Sequence, residues 1–274
     1  MGRERRGGRF MIFTVCFCLF LCLAGNAICD ALFPEASGED VKKSDGLTVD
    51  FSHADQGYVM VKGKTTKKKL KLRVTKGDTT LNYDVDNNSN FEVIPLQLGN
   101  GSYRLALYKN VQGKQYAEEG KVNLKINMDD ELSCFLYPNQ YVWYESDSPA
   151  VLKANELCAG LTDQKEKDKK ITKYIVESYV YDFIRAVTIK AGALPDVEAC
   201  FNKKMGICQD LAALTVCMMR SQGIPSKLVI GTVGTNSYHA WTVSYVNGQE
   251  AFFDPTAELH ASPRDQVYVV ERFY

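Results

Sequence analysis

Three side chains with complementary chemistry stand in one C-terminal stretch: Cys208 in GICQDLAALTVCMMRSQGIP, His239 in SYHAW and Asp254 in AFFDPT. A thiol, an imidazole and a carboxylate are the parts of a nucleophilic acyl-transfer site, provided the fold brings them together. Each has a plainer reading: a small buried thiol, a structural histidine, and a turn former before Pro255. What separates the readings is the elements that must carry the three residues.

Cys208 follows a polar, Gly-containing approach, Asn202 to Ile207, and precedes an apolar run with helical spacing, Leu211, Leu214, Thr215, Met218 and Met219, that closes at Gly223 and Pro225. The pattern predicts a helix over 209–221 with Cys208 in its first turn. Unpaired N–H groups and the positive end of the helix dipole there favour thiolate over thiol, and the same N–H groups can hold an oxyanion. A strand follows at 227–232, then strands at 239–246 and 249–254 joined by Asn247-Gly248, a strong tight-hairpin signal. If those two residues form the turn, paired positions run from Val246 with Gln249 back to Trp241 with Asp254 and His239 with Thr256. His239, Trp241 and Asp254 then share one face, with His239 and Asp254 diagonal neighbours within side-chain reach.

GIC-x-D-x-AAL, MRSQGIPSKLV-x-G, YHAW-x-V-x-YVNG and FFDPT, in that order, resemble the bacterial branch of the transglutaminase-like superfamily. The likeness extends over roughly 137–274, since PNQYVWY and the stretch from Tyr181 to Gly206 are similar as well. It implies a papain-like α+β core, with Cys208 as nucleophile, His239 as general base and acid, and Asp254 orienting the imidazole. It implies acyl transfer or hydrolysis on a protein or peptide amide through a thioester, with no cofactor or metal. Related sequences often carry an aromatic after the cysteine, where this chain has Gln209, and a Trp in the strand before DPT, where it has Ala251-Phe252. Trp143 and Trp241 are candidates for a second oxyanion donor, and both are readable as core.

Upstream, residues 47–130 read as an immunoglobulin-like β-sandwich of short alternating runs punctuated by Gly99-Asn100-Gly101 and Gln112-Gly113. Its basic run from Lys62 to Lys76 invites a polymer-binding reading, but in KLKLRV the charges alternate with Leu70, Leu72 and Val74, which makes them the solvent face of a half-buried strand. Asp84, Asp86, Asn87 and Asn88 lack the spacing of a calcium loop. Residues 28–46 read as a linker, and 131–274 as the catalytic domain, entered through helices at 149–161 and 163–186 and a short one after Leu194-Pro195-Asp196.

The first 27 residues read as a signal peptide: four arginines and one acid, fourteen apolar residues broken only by Thr14, then small residues. The expected location is therefore secreted or cell-surface, with Cys29 a weak lipidation candidate because Ile28 precedes it. Cys158, Cys200 and Cys217 read as core thiols, and no disulfide framework is expected, since a free nucleophile leaves an odd number among Cys29, Cys134, Cys158, Cys200 and Cys217. With 33 basic and 33 acidic residues there is no drive toward nucleic acid, and the expected partner is a protein or peptide, including a cell-wall peptide. Two other readings compete with the enzyme: a binding module with an idle triad, and an adhesin whose working part is the sandwich.

Overall fold

The computed structural model describes residues 31–235, 237–260 and 266–274. The leader segment and Cys29 lie outside them. Among the described residues no helix is long and apolar enough to cross a membrane.

Eight antiparallel strands make up the first half: β1 (Val41–Ser44), β2 (Leu47–Asp50), β3 (Tyr58–Gly63), β4 (Leu70–Lys76), β5 (Thr79–Val85), β6 (Glu92–Pro95), β7 (Gly101–Gln112) and β8 (Gln115–Ile126). They form two four-stranded sheets, β1-β2-β3-β6 and β5-β4-β7-β8. The sheets pack face to face: a Cβ on Gly63 of the first would collide with Leu70 and crowd Val85 and Leu107 of the second. The KLKLRV alternation holds, with Leu70, Leu72 and Val74 at 0–2 % exposure between outward Lys71 and Arg73. One expectation is corrected. Val41–Ser44, read as linker, is an edge strand paired with β2. Its side chains are mostly exposed, so it carries no apolar period; the backbone ladder beyond the Gly46 turn holds it, helped by Lys42 Nζ donating to Asn123 O and Lys121 N donating to Ser44 Oγ.

The second half contains α1 (Pro149–Cys158), α2 (Gln164–Ser178), β9 (Val180–Tyr181), α3 (Phe183–Thr188), α4 (Val197–Lys203), β10 (Met205–Gly206), α5 (Cys208–Arg220), β11 (Ser226–Val233), β12 (Ser237–Val246), β13 (Gln249–Phe253), α6 (Pro255–Leu259) and β14 (Tyr268–Phe273). The strands after α5 form an antiparallel sheet in the order β13-β12-β11-β14. Every residue of α5 is buried, because this helix lies between β11 and β12 on one side and α1, α2 and α4 on the other. A helix apolar on all sides belongs in a core rather than on a surface.

The single helix expected over 163–186 is two. α2 stops at Ser178, Val180 and Tyr181 pair in parallel with Met205 and Gly206, and Asp182 caps α3 by accepting from Arg185 N at 2.8 Å. Tyr-Val-Tyr suits a strand, and the Asp182 side chain competes for the backbone at a helix start. Phe183, which seemed to prolong the apolar stripe, is 67 % exposed.

The two halves share one buried cluster. At the join, Tyr141 stacks on Tyr274 with ring centroids 3.5 Å apart, Tyr274 meets Tyr83 of β5 edge-on, and Gln97 donates to Phe273 O. Arg220, fully buried at the end of α5, donates to Tyr137 O at 2.7 Å, Ser226 O at 2.9 Å and Tyr274 O at 2.9 Å. Three backbone oxygens thus surround a desolvated cation.

Candidate active site

Gly206 and Ile207 deliver the chain to Cys208, the first residue of α5. Gly206 is required by space: a Cβ there would stand 2.7 Å from Cys200 Sγ and 2.9 Å from Asp210 Cβ. The helix start is pinned by Asp210, 2 % exposed, whose carboxylate accepts from Ile207 N at 3.2 Å and from Asp196 N at 3.2 Å. The same carboxylate takes Arg185 of α3 in a two-point grip, Nε at 2.7 Å and Nη2 at 3.2 Å. Side-on carboxylate pairing with both Nε and a terminal nitrogen fixes direction as well as charge. Next to the thiol, Gln209 donates to Ala193 O at 3.1 Å and ties the 189–193 loop to the helix.

The hairpin carries the other two residues. Asn247 (φ 51°) and Gly248 (φ 76°) form its turn, both in the left-handed region that a two-residue hairpin of this kind demands. The expected register holds from Val246 with Gln249 to Thr242 with Phe253. It then stops, so the pairs Trp241 with Asp254 and His239 with Thr256 do not form. Pro255 has no N–H to give the ladder, and Asp254 leaves it to cap α6, its Oδ1 accepting from Thr256 N and Ala257 N, each at 3.0 Å. The geometry for side-chain contact survives. His239 Nε2 lies 2.7 Å from Asp254 Oδ2, with the two side chains 12 % and 3 % exposed.

With Nε2 engaged by the carboxylate, Nδ1 is the ring nitrogen left for Cys208. Burial pushes the imidazole pKa down, but the hydrogen bond to Asp254 and the influence of Cys208 outweigh it and raise the pKa to about 9. For Asp254 the balance also runs against burial: His239, the Ala257 N–H and Tyr268 hold its carboxyl below the usual range. Burial pushes the thiols of Cys134 and Cys200 up to about 12 and that of Cys158 to about 11, and Cys217 is wholly enclosed in α5.

Two residues of this constellation had no signal in the sequence. Tyr268, at the start of β14, donates its hydroxyl to the same Asp254 Oδ2 at 2.8 Å. It reaches there because β14 approaches β11 closely at Gly231, where a Cβ would overlap Val269 O and stand 2.9 Å from the Trp241 ring. Arg185 is the other. Of the tryptophans, Trp241 is core, its ring 6.3 Å from that of His239 and 5.1 Å from that of Tyr268. Trp143 is not core: it is 55 % exposed beside a cavity of about 630 Å³ with Leu194 and Asp196. Among the described residues no cluster of three or more histidine, cysteine or acidic side chains is arranged to hold a metal.

A cysteine-headed helix laid on an antiparallel sheet, with an imidazole–carboxylate pair at the sheet's edge, defines the papain/transglutaminase-like class of core. The sequence agrees: residues 153–255 match the family described as the transglutaminase-like superfamily, and this segment is a transglutaminase-like domain. Solved structures resemble the chain at low identity. One is a candidate cysteine protease from Cytophaga hutchinsonii, 15 % identical, TM-score 0.43, covering 78 % of this chain and 83 % of that one. Another is the periplasmic domain of TgpA from Pseudomonas aeruginosa bound to ethylmercury, 12 % identical, TM-score 0.38, with 79 % of this chain and 97 % of that one covered. A third is red sea bream transglutaminase, 14 % identical, TM-score 0.30, covering 73 % of this chain and 48 % of that one, so this chain spans about half its length. No curated protein matches the chain.

Proposed function

We propose that the protein is an exported cysteine enzyme that performs acyl transfer or hydrolysis on amides of proteins or peptides, with Cys208, His239 and Asp254 as its triad. The observation that carries this reading is the buried His239–Asp254 pair, whose carboxylate is itself fixed by two backbone N–H groups and a tyrosine hydroxyl, together with Cys208 at the head of α5. A merely structural histidine has no need of a buried carboxylate oriented this fully.

In the first half-reaction His239 Nδ1 takes the Cys208 proton and the sulfur attacks the amide carbon. The carbonyl π pair moves to oxygen, and unpaired N–H groups at the start of α5 are suited to hold the resulting oxyanion. Collapse restores the carbonyl and breaks the C–N bond, with the imidazolium proton passing to the departing amine or ammonia. The thioester left behind is attacked by water or by a second amine, whose proton His239 accepts as the C–S bond breaks. Asp254 holds the ring so that Nδ1 faces sulfur throughout. The high pKa of His239 favours imidazolium at neutral pH, the form that pairs with a thiolate. The apolar N-terminal segment Phe10–Leu23 supports export.

The test is the pH dependence of Cys208 alkylation by iodoacetamide, with the modified thiol identified by mass spectrometry. Reactivity that persists well below pH 7 and is lost in His239→Ala is the expected result. A Cys208 that alkylates like an ordinary thiol in both proteins leaves the triad idle and turns the fold into a binding module.

A further inference from the structure

A second cavity, of about 430 Å³, is lined by Gln209, the residue after Cys208, and its chemistry differs from that of the triad. Gln209 and Ile230 lie buried at its inner side, Tyr141 and Tyr238 are aromatic walls, and Lys190 and Arg272 are its charged lining residues. Gln209 directly follows the thiol on α5, and the Tyr238 hydroxyl is close enough to feel the charge of Cys208, so the cavity lies on the thiol's side of the site, while Tyr238 and Ile230 share the sheet face opposite His239. Both charges are positive, and no carboxylate lines the space.

The two cations come from different elements. Lys190 is on the loop that Gln209 ties down through Ala193 O, where Ala193 N closes a turn back onto Lys190 O at 3.1 Å. Arg272 comes from β14, where its Nη1 meets Oε2 of the neighbouring Glu271 at 3.3 Å on an exposed edge. A fork with five donors, of which Glu271 engages one, retains donors for a ligand. Apolar and aromatic walls with a few placed polar groups are the ordinary make-up of a small-molecule or side-chain pocket.

We infer that this cavity is a carboxylate-binding subsite, with Arg272 as its principal donor and Lys190 as a second cation, and that it selects peptides carrying an acidic group within about one residue of the reacting amide. The inference rests on the acyl-transfer reading of Cys208 and adds the class of substrate. Arg272 is a specificity residue here, not a member of the triad.

Two reagents that differ only in one group test it: the N-chloroacetyl derivatives of glutamate α-amide and of glutamine α-amide, each followed as alkylation of Cys208. The glutamate reagent is expected to react about fivefold faster than its neutral twin, as suits one partly exposed ion pair. Arg272→Gln should remove that preference without slowing the glutamine reagent, and Arg272→Lys should keep part of it. The same ratio in wild type and Arg272→Gln overturns the subsite. Binding is also read without the thiol, by titrating N-acetylglutamate α-amide into Cys208→Ala with and without Arg272→Gln. If Cys208 takes neither reagent, the acyl-transfer reading fails, and this titration decides the subsite independently: saturable binding lost with Arg272 upholds it, and binding that is absent or indifferent to Arg272 overturns it.

Discussion

The two halves of the molecule place their charges differently. In the sandwich, ion pairs such as Lys71–Asp84, Arg104–Glu118 and Lys109–Glu119 bridge neighbouring strands on the solvent side, each member at least a quarter exposed. The transglutaminase-like half has exposed pairs too, Lys153–Glu156 and Lys173–Glu177, but it sends more charged groups inward. Asp210 and Asp254 are 2 % and 3 % exposed, Arg220 is fully buried and the His239 side chain is 12 % exposed, whereas Asp50 of β2, at 2 %, is the buried carboxylate of the sandwich among the described residues. Alternating strands can hide every apolar side chain and leave every charge in water. A site for covalent chemistry cannot, because its groups must be desolvated and aimed, and each buried charge has to be answered by hydrogen bonds that something else positions. The difference is sharpest at helix starts. Asp254 begins α6 and Asp210 lies in the first turn of α5, so each carboxylate both stabilises a helix terminus and orients a candidate catalytic side chain.

This contrast is sharpest to test at Asp254, where the largest effect is expected. Its Oδ1 serves the helix and its Oδ2 serves His239 and Tyr268. Asp254→Asn keeps an acceptor for Thr256 N and Ala257 N but offers the imidazole no anion, so thiol alkylation or turnover should fall about 10²- to 10⁴-fold. The melting temperature should fall only by the lost pairing with protonated His239, and less toward pH 10. Asp254→Ala should lose both functions, adding roughly 1–2 kcal/mol of instability for the missing cap. If the two variants melt alike, the division of labour between the oxygens is wrong.

Next in size is the pH dependence set by His239. Its folded pKa is raised to about 9, so its contribution to stability is fully present below the ordinary histidine value of about 6.5 and is lost as pH rises through about 9. The full shift corresponds to at most about 3 kcal/mol. Asp254, held below the usual range, runs the other way: its contribution is present above the unfolded carboxyl value and disappears as pH falls through its lowered folded value. Wild type should therefore exceed His239→Gln in stability most clearly near pH 6, with the gap closing toward pH 10. Denaturant titrations across that range check it, and a gap that widens with pH contradicts the sign.

Arg185→Leu comes third. Asp210 would keep the Ile207 and Asp196 N–H groups but lose its cation while only 2 % exposed, which costs about 1–3 kcal/mol once the partial exposure of Arg185 is allowed for. The loss should also appear at the thiol, as slower Cys208 alkylation, because Asp210 pins the turn that carries it. Unchanged alkylation at reduced stability would reduce Asp210 to a structural role. Tyr268→Phe follows. The Asp254 carboxylate keeps its other three bonds but loses a donor that helps hold its pKa down, so the acid limb of the alkylation profile should move upward by a fraction of a pH unit, with a rate loss of a few-fold.

What the residues revealed in advance, and what they hid, follows the same physics. Cys208 at a helix start was legible because the apolar period of α5 begins just after it and Gly223 ends it. The register of β12 and β13 was legible because Asn247-Gly248 permits essentially one turn. β1 was not, since its side chains mostly face water and its pairing with β2 is made by the backbone. Arg185 was hidden because an apolar stripe seemed to carry α2 past Ser178, while its partner Asp210 lies 25 residues further on. Tyr268 was readable as a strand residue and no more: its reach to Asp254 depends on the shift between β11 and β14 at Ile230/Gly231, and an irregularity of that kind leaves no periodic trace. The end of the ladder at Asp254 is the intermediate case, for Pro255 was in plain view, yet the even-length hairpin preserved the facing of His239 and Asp254 after formal pairing had ceased.

The smallest effect belongs to the sandwich, and it is the one that would most directly undo the contrast. Arg104 Nη2 lies 2.6 Å from Glu118 Oε2, as short as any described ion pair in the transglutaminase-like half, and Tyr108 shares the same carboxylate oxygen at 3.2 Å. Distance alone would rank it beside Arg185–Asp210. Exposure ranks it far below: both side chains are about one-third exposed, so water answers each charge when the other is removed. Arg104→Ala should therefore shift the melting temperature by no more than about 2 °C and leave the rate and pH profile of Cys208 alkylation unchanged. A loss comparable with that of Arg185→Leu would mean that burial does not separate the two halves, and that the cross-strand charges of β7 and β8 hold the shared core as firmly as the carboxylates beneath the site.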